Sequence, residues 1–352
     1  MKILLSAYSG LGNTIQLSTV IRNIRSLEEK SIITVVSDDQ LSQLTLLDPR
    51  YINKLRIFKP KLHHLFRVVG IRKKIKSLDL DYIFLPFAGS SLWLLLVSFS
   101  LKTVKIVTHI HENDNLGFIK LLFKKLSKRI LLIDYHENKN EIESYLDLLS
   151  ALEINKEVSF SRRPFIKELD KIDQQLSSLI GEKYICFQYG THNGGKSPKM
   201  LKDENCIDFF IKFERYFDHK IVLLGDALLD EEKIENLKNV INLVGKTSLD
   251  QLQQCIKNAS LVVCMDSAIL HLSNALNIKV LALYGPTNYR RTFPTSEKNF
   301  ILKSELHHSP CPVFNECGDV LAIKKCSKCK QLMHDLTGEK ILNFITEREI
   351  LC

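Results

Sequence analysis

Residues 261–287, LVVCMDSAILHLSNALNIKVLALYGPT, switch between strand and helix character, and that switch decides the fold. Residues 261–264 are a short apolar run, as a strand buried on both faces requires. Asp266 and Ser267 follow at its carboxyl end, and either is a residue type that caps a helix. His271 lies about one helical turn further on, where it can face the same ligand as the cap. Residues 280–284 are a second apolar run, and Gly285-Pro286-Thr287 turns the chain sharply. Strand, helix and strand at this spacing make one unit of a parallel sheet. Ligands of such sheets bind beyond the carboxyl ends of the strands, and a helix N-terminus there favours an anion. Asp266 and His271 are therefore placed for a nucleotide phosphate. The plainer alternative is a helix cap and a surface histidine.

The same pattern extends in both directions. Upstream, strands are expected at 184–188, 221–224 and 240–243, with helices at 204–216, 230–238 and 249–258. In the first half, strands are expected at 1–6, 32–36, 83–86, 104–108 and 130–133, and helices at 14–27, 92–101, 116–127 and 141–152. Alternating strands and helices imply parallel sheets covered on both faces. Residues 155–180 are charged, carry no strand pattern and make a candidate linker. A chain of 352 residues thus divides into two α/β halves, each opening with a strand and a glycine-containing loop. The first loop, Ser9-Gly10-Leu11-Gly12-Asn13, lets backbone approach a ligand closely. It is not the dinucleotide fingerprint, because Ile15 stands where a third glycine would be needed.

Composition excludes several classes. The most apolar run, residues 92–101, is far shorter than the ~20 residues that span a bilayer. Apolar residues 3–5 run straight into a glycine turn, so a cytoplasmic location is expected. Nine cysteines without a secretory leader argue against a disulfide framework. The net charge of +9 is concentrated in the first half, at Arg67, Arg72, Lys73, Lys74 and Lys76 and again from Lys120 to Arg129. The second cluster interleaves with Phe118, Leu121, Leu122, Phe123 and Leu126. It makes either an amphipathic helix for an anionic membrane surface or acceptor, or an ordinary solvated lysine face. No nucleic-acid motif accompanies the charge, so no nucleic-acid partner is expected.

Four segments carry a resemblance to the family 9 glycosyltransferases, the heptosyltransferase group. They are Gly10–Asn13, the strand at 185–189 with its loop to Lys196, residues 243–276 running on to LALYGPT, and a tail bearing Cys311, Cys317, Cys326 and Cys329. The third is the most specific, for it is similar to the family's L-x-G-x-T-S-L and D-S/T-G-x-x-H runs. The resemblance implies an α/β GT-B fold, two Rossmann-like domains facing a central cleft. Residues 1–160 are then the acceptor-binding domain and 161–182 the linker. Residues 183–330 are the nucleotide-sugar-binding domain, and 331–352 a C-terminal helix crossing back to the first domain. The implied reaction is an inverting, metal-independent transfer of heptose from ADP-heptose onto a lipopolysaccharide core or related lipid-linked glycan. It would take place at the inner membrane face, with no cofactor. The alternatives are a transferase of a UDP- or GDP-sugar, a nucleotide-sugar epimerase or hydrolase, and a non-catalytic sugar-nucleotide-binding subunit.

The resemblance also suggests roles. Lys196 stands where the family has a phosphate-contacting lysine. A leaving diphosphate needs fixed donors, and Ser267, Ala268, His271 and Thr287 are placed to supply them. Asp266 would cap or hold donor sugar hydroxyls, and Asp230 or Glu231 would accept from the ribose. Gly10 and Gly12 would line the acceptor side. The heptosyltransferases place the aspartate base just after this loop, but here the position is Asn13, and an amide is no base. Asn13 would then orient the acceptor, with Asp38, Asp39, His109, His111 or Glu112 as base, Asp38 and His111 foremost; otherwise the donor or acceptor differs, or activity is lost. Ala268, where glycine is usual, adds one methyl to the donor side. The four tail cysteines could hold a tetrahedral zinc or iron, but their spacing matches no common zinc pattern, and no metal is expected.

Overall fold

The computed structural model describes residues 1–7, 10–37, 46–50, 52–56, 65–86, 92–110, 117–136, 138–152, 159–169, 173–179, 181–190, 198–226, 231–294, 296–311 and 327–351. The chain divides into two compact units, residues 1–168 and 169–352.

In the first unit the strands are β1 (Lys2–Ser6), β2 (Ile32–Ser37), β3 (Asn53–Arg56), β4 (Tyr82–Leu85), β5 (Lys105–Ile110) and β6 (Ile130–Asp134). They form one parallel sheet in the order β3-β2-β1-β4-β5-β6. Side chains alternate across it, as the two-residue period of a strand demands. Ile3, Leu5, Ile33, Val35, Phe84 and Val107 face one way, into a core shared with the helix Leu11–Leu27 and with Tyr145, Leu148 and Leu149. Leu4, Val36, Ile83, Leu85 and Ile106 face the other, against helices Leu65–Lys76, Leu92–Phe99 and Gly117–Leu126.

The second unit repeats this plan. Its strands are β7 (Tyr184–Phe187), β8 (Lys220–Leu223), β9 (Val240–Asn242), β10 (Leu261–Met265), β11 (Val280–Tyr284) and β12 (Asn299–Lys303). Their order, β12-β11-β10-β7-β8-β9, is again parallel throughout. Counted from its own first strand, it is the order of the first unit. The order reverses between β1 and β4 in one sheet and between β7 and β10 in the other. Those reversal points are where a doubly wound sheet opens a ligand crevice. One face of the second sheet buries Ile185, Phe187, Val263 and Met265 under the Asp203–Tyr216 helix. The rings of Phe187 and Phe209 stack there at 5.3 Å. On the other face Tyr184 donates its hydroxyl to the Cys255 carbonyl at 2.9 Å, holding the Leu249–Lys257 helix.

The structure moves several expected boundaries. The first helix begins at Leu11, not Thr14, so Gly12 and Asn13 lie in its first turn and Gly10 is its cap. The expected helix 230–238 is a single turn, Glu231–Ile234. The expected linker 161–182 belongs partly to each unit. Ser161 exchanges two 2.8 Å hydrogen bonds with the Asn23 side chain, and Phe165 donates to Ser18 Oγ at 2.6 Å. Beyond the division, the Asp173 amide donates to Gln254 Oε1 at 2.8 Å.

The C-terminal helix, Gly338–Glu347, packs within the second unit. Its apolar residues Ile341, Leu342 and Ile345 are part of the second unit's core. Gly338 makes this packing possible. A Cβ there would come 2.5 Å from the Phe209 amide nitrogen and 2.6 Å from the Asn205 carbonyl oxygen. The Asn205 side-chain amide also donates to the carbonyls of His334 and Leu336, which fastens the segment leading into this helix to Asp203–Tyr216.

Candidate functional site

The site assembles at the reversal point of the second sheet. Asp266 and Ser267 leave the end of β10, and Gln188 leaves the end of β7 beside it. Ser267 is extended and caps the helix Ala268–Ala275, its Oγ accepting from the Ile269 amide at 3.2 Å. The same hydroxyl donates to Gln188 Oε1 at 2.6 Å, which ties the two strand ends together. Gly225, just past β8, sits at φ +113°, a conformation L side chains rarely adopt. That backbone brings it against the Gln188 side chain. On the far side, Gly285 in the Gly-Pro-Thr turn lies under Met333, whose Sδ a Cβ would meet at 2.5 Å.

Asp266 is buried, yet it is ionised. Burial pushes its carboxyl up, but Lys199, then His271, and hydrogen bonds from Lys199 and Thr292 outweigh that and hold it below the usual carboxylate range. Lys199 Nζ donates to Asp266 Oδ2 at 2.8 Å and to its carbonyl at 3.2 Å. His271 is 5% exposed. Burial pushes its imidazole down to about 4, against the attraction of Asp266 and with the help of Lys199. At neutral pH the ring is therefore uncharged and can donate a hydrogen bond without adding charge. Thr287, after β11, is buried as well. The crevice thus offers an ionised carboxylate, a cation, a neutral imidazole and the amides of a helix N-terminus. That set can hold both the hydroxyls and the phosphates of a sugar nucleotide.

The structure brings Asp266, Ser267, Ala268 and His271 together at the end of β10 and the start of the helix that follows it. It adds Lys199 and Gln188, which sequence reasoning missed. The available signal for Lys199 was Asp266 itself, because a buried carboxylate at a strand end needs a cation within reach. Lys196, Asp230, Asp38, Asp39, His111 and Glu112 lie outside the described residues, as do Cys317 and Cys326; of Glu231, the backbone alone is described.

In the first unit Gly10, Gly12 and Asn13 sit at the carboxyl end of β1, at that sheet's reversal point. Among the described residues, no heavy atom lies within 4 Å of where a Gly10 Cβ would be. His109 is not placed as a base. β5 runs on to Ile110, and the ring is buried with Nε2 donating to the Ser144 carbonyl at 2.7 Å.

Residues 126–317 match the model of glycosyltransferase family 9 (heptosyltransferase). A lipooligosaccharide heptosyltransferase 2 of Campylobacter jejuni is 24% identical, over 97% of this chain and 96% of its own length. The lipooligosaccharide heptosyltransferase 2 of Haemophilus influenzae is 41% identical over 51% of this chain and 58% of its own. Among solved structures, the E. coli ADP-heptose lps heptosyltransferase II superposes with a TM-score of 0.69 at 17% identity, covering 100% of this chain and 98% of that one. That likeness extends the two-unit α/β fold over the whole chain.

Proposed function

The chain belongs to glycosyltransferase family 9, and from that premise we propose that it moves heptose from ADP-heptose onto a lipopolysaccharide-core or related lipid-linked acceptor, with inversion and without a metal. The observation that carries this reading is the crevice of Asp266, Lys199, Ser267 and His271 at the reversal point of the second sheet. The names of the full-length relatives support the choice of sugar and acceptor.

The acceptor hydroxyl oxygen attacks the anomeric carbon from the face opposite the nucleotide. The bond from that carbon to the phosphate oxygen breaks, and the nucleoside diphosphate leaves with the electron pair. The growing negative charge falls to the helix N-terminus at Ala268, which Ser267 caps, to Lys196 and to the hydroxyl of Thr287. His271 donates as a neutral group. Asp266 holds donor hydroxyls, and Asp230 or Glu231 accepts from the ribose. The hydroxyl proton goes to a base, Asp38 or His111, while Asn13 orients the acceptor with Gly10 and Gly12.

Thermal stabilisation by a panel of nucleotides and their sugars tests the donor. ADP and ADP-heptose raise stability by ~2.7 kcal/mol at a hundredfold excess over their dissociation constants. UDP, GDP and CMP do not. A shift with UDP or GDP instead keeps the fold and changes the sugar; no shift at all sinks donor binding. The base is tested separately. His111→Ala and Asp38→Ala both keep the ADP shift, and one of them loses transfer by about a hundredfold or more. Undiminished transfer in both removes both from the base role. The competing reading, a sugar-nucleotide-binding subunit without transfer, rests on Asn13 and predicts the ADP shift with no turnover under any acceptor.

A further inference from the structure

We propose that the helical layer over one face of the first sheet, led by Gly117–Leu126, docks on an anionic phospholipid bilayer. This helix has already used one side for folding. Phe123 packs on Phe99 with ring centroids 4.5 Å apart, and Ile119 joins the same core. Lys120 is buried and donates to the His109 carbonyl at 2.9 Å, which pins the helix to the end of β5. A second apolar side remains. Phe118 is 78% exposed and Leu126 65%, with Leu122 between them at the same four-residue interval and Leu121 beside them. Single exposed leucines need no explanation, but a continuous apolar stripe on a soluble surface marks an interaction site.

Charge selects the occupant. Lys124, Lys125 and Lys128 are exposed around the stripe, and no acidic residue occurs between Gly117 and Ile133. Helix Leu65–Lys76, on the same face of the sheet, adds exposed Lys73 and Lys74. A second copy of the chain would set like charge against like. An anionic lipid surface complements it, taking the apolar stripe at the headgroup boundary while the lysine stems reach back to the phosphates. No helix among the described residues is long and apolar enough to cross a membrane, so the contact is one of surface binding. The inference deepens the proposed function, since a lipid-linked acceptor is met at such a surface, and it rests on that reading only for its purpose.

The experiment is co-sedimentation of the full chain with vesicles of phosphatidylglycerol and phosphatidylethanolamine, and with vesicles of phosphatidylcholine. No sugar nucleotide or glycan is added, so the ADP shift decides the transferase reading independently. The native chain binds the anionic vesicles at least about tenfold more tightly than the neutral ones. A Phe118→Ser, Leu122→Ser double variant and a Lys124→Glu, Lys125→Glu double variant each lose about tenfold or more, while both keep the native circular dichroism and the ADP shift. Equal binding by native and variant chains, or no binding to anionic vesicles, overturns the proposal. So does a native dimer that the Phe118→Ser, Leu122→Ser variant abolishes.

Discussion

Asp266→Ala separates the sugar from the nucleotide: affinity for the nucleotide sugar falls by about tenfold to a hundredfold, whereas affinity for ADP alone holds or rises. The carboxylate is an anion at the mouth of an anion site, tolerated because Lys199 is bonded to it at 2.8 Å. Removing it deletes an acceptor for sugar hydroxyls and frees the Lys199 charge for the diphosphate. Lys199→Ala does the reverse. It weakens ADP and leaves a buried carboxylate unpaired, so its stability loss approaches the about 3–5 kcal/mol of a broken buried pair. Asp266→Ala costs less, because the Lys199 side chain is 24% exposed and can reach water. Calorimetric titration of both variants with ADP and ADP-heptose checks the split. A parallel loss of both ligands in Asp266→Ala would make this residue a cap and brace, with no part in holding sugar.

How much of this was legible depended on how local each signal was. The unit from β10 to β11 could be read outright, because its strands are apolar and its helix carries its own cap in Ser267. The edge strands β3 and β12 could not. NKLR has one apolar residue, since an edge strand is buried on fewer sides, and the three apolar residues of NFILK are too short a run to tell strand from helix. Lys196 and Lys199 are three residues apart in the sequence, and no local rule says that Lys199 meets Asp266 from 67 residues away. The amphipathic pattern of the last helix says that it packs, but not on what. The information lay in Gly338, which permits close approach to one particular helix. His109 resembled a site residue in His-x-His-Glu, but two further strand residues carry the ring into the interior.

Acid weakens both units, and the window is set by two buried histidines. Burial holds His109 in the first unit at about 4, even though the Ser144 carbonyl and Asp147 favour its charged form. Burial likewise holds His271 in the second at about 4. In the unfolded chain each returns to ~6.5. Between those values the unfolded state binds a proton that the folded state refuses, so stability falls as pH falls. It is fully present above ~6.5, and each site has lost about 2 kcal/mol by pH 5 and about 3 kcal/mol by pH 4. Asp266, whose folded carboxyl is depressed, adds a loss of the same sign below the ordinary carboxylate range. Trp93 is the only tryptophan and lies in the first unit, so its fluorescence during denaturation follows that unit, while ADP-linked stability follows the other. His109→Gln keeps a donor for the Ser144 carbonyl but cannot titrate. It flattens the pH 7 to 5 slope of the fluorescence transition by about 2 kcal/mol and leaves the second unit's slope unchanged. Native stability equal at pH 7 and pH 5 would mean that both rings are protonated inside the fold, and His271 would then be a cation facing the donor.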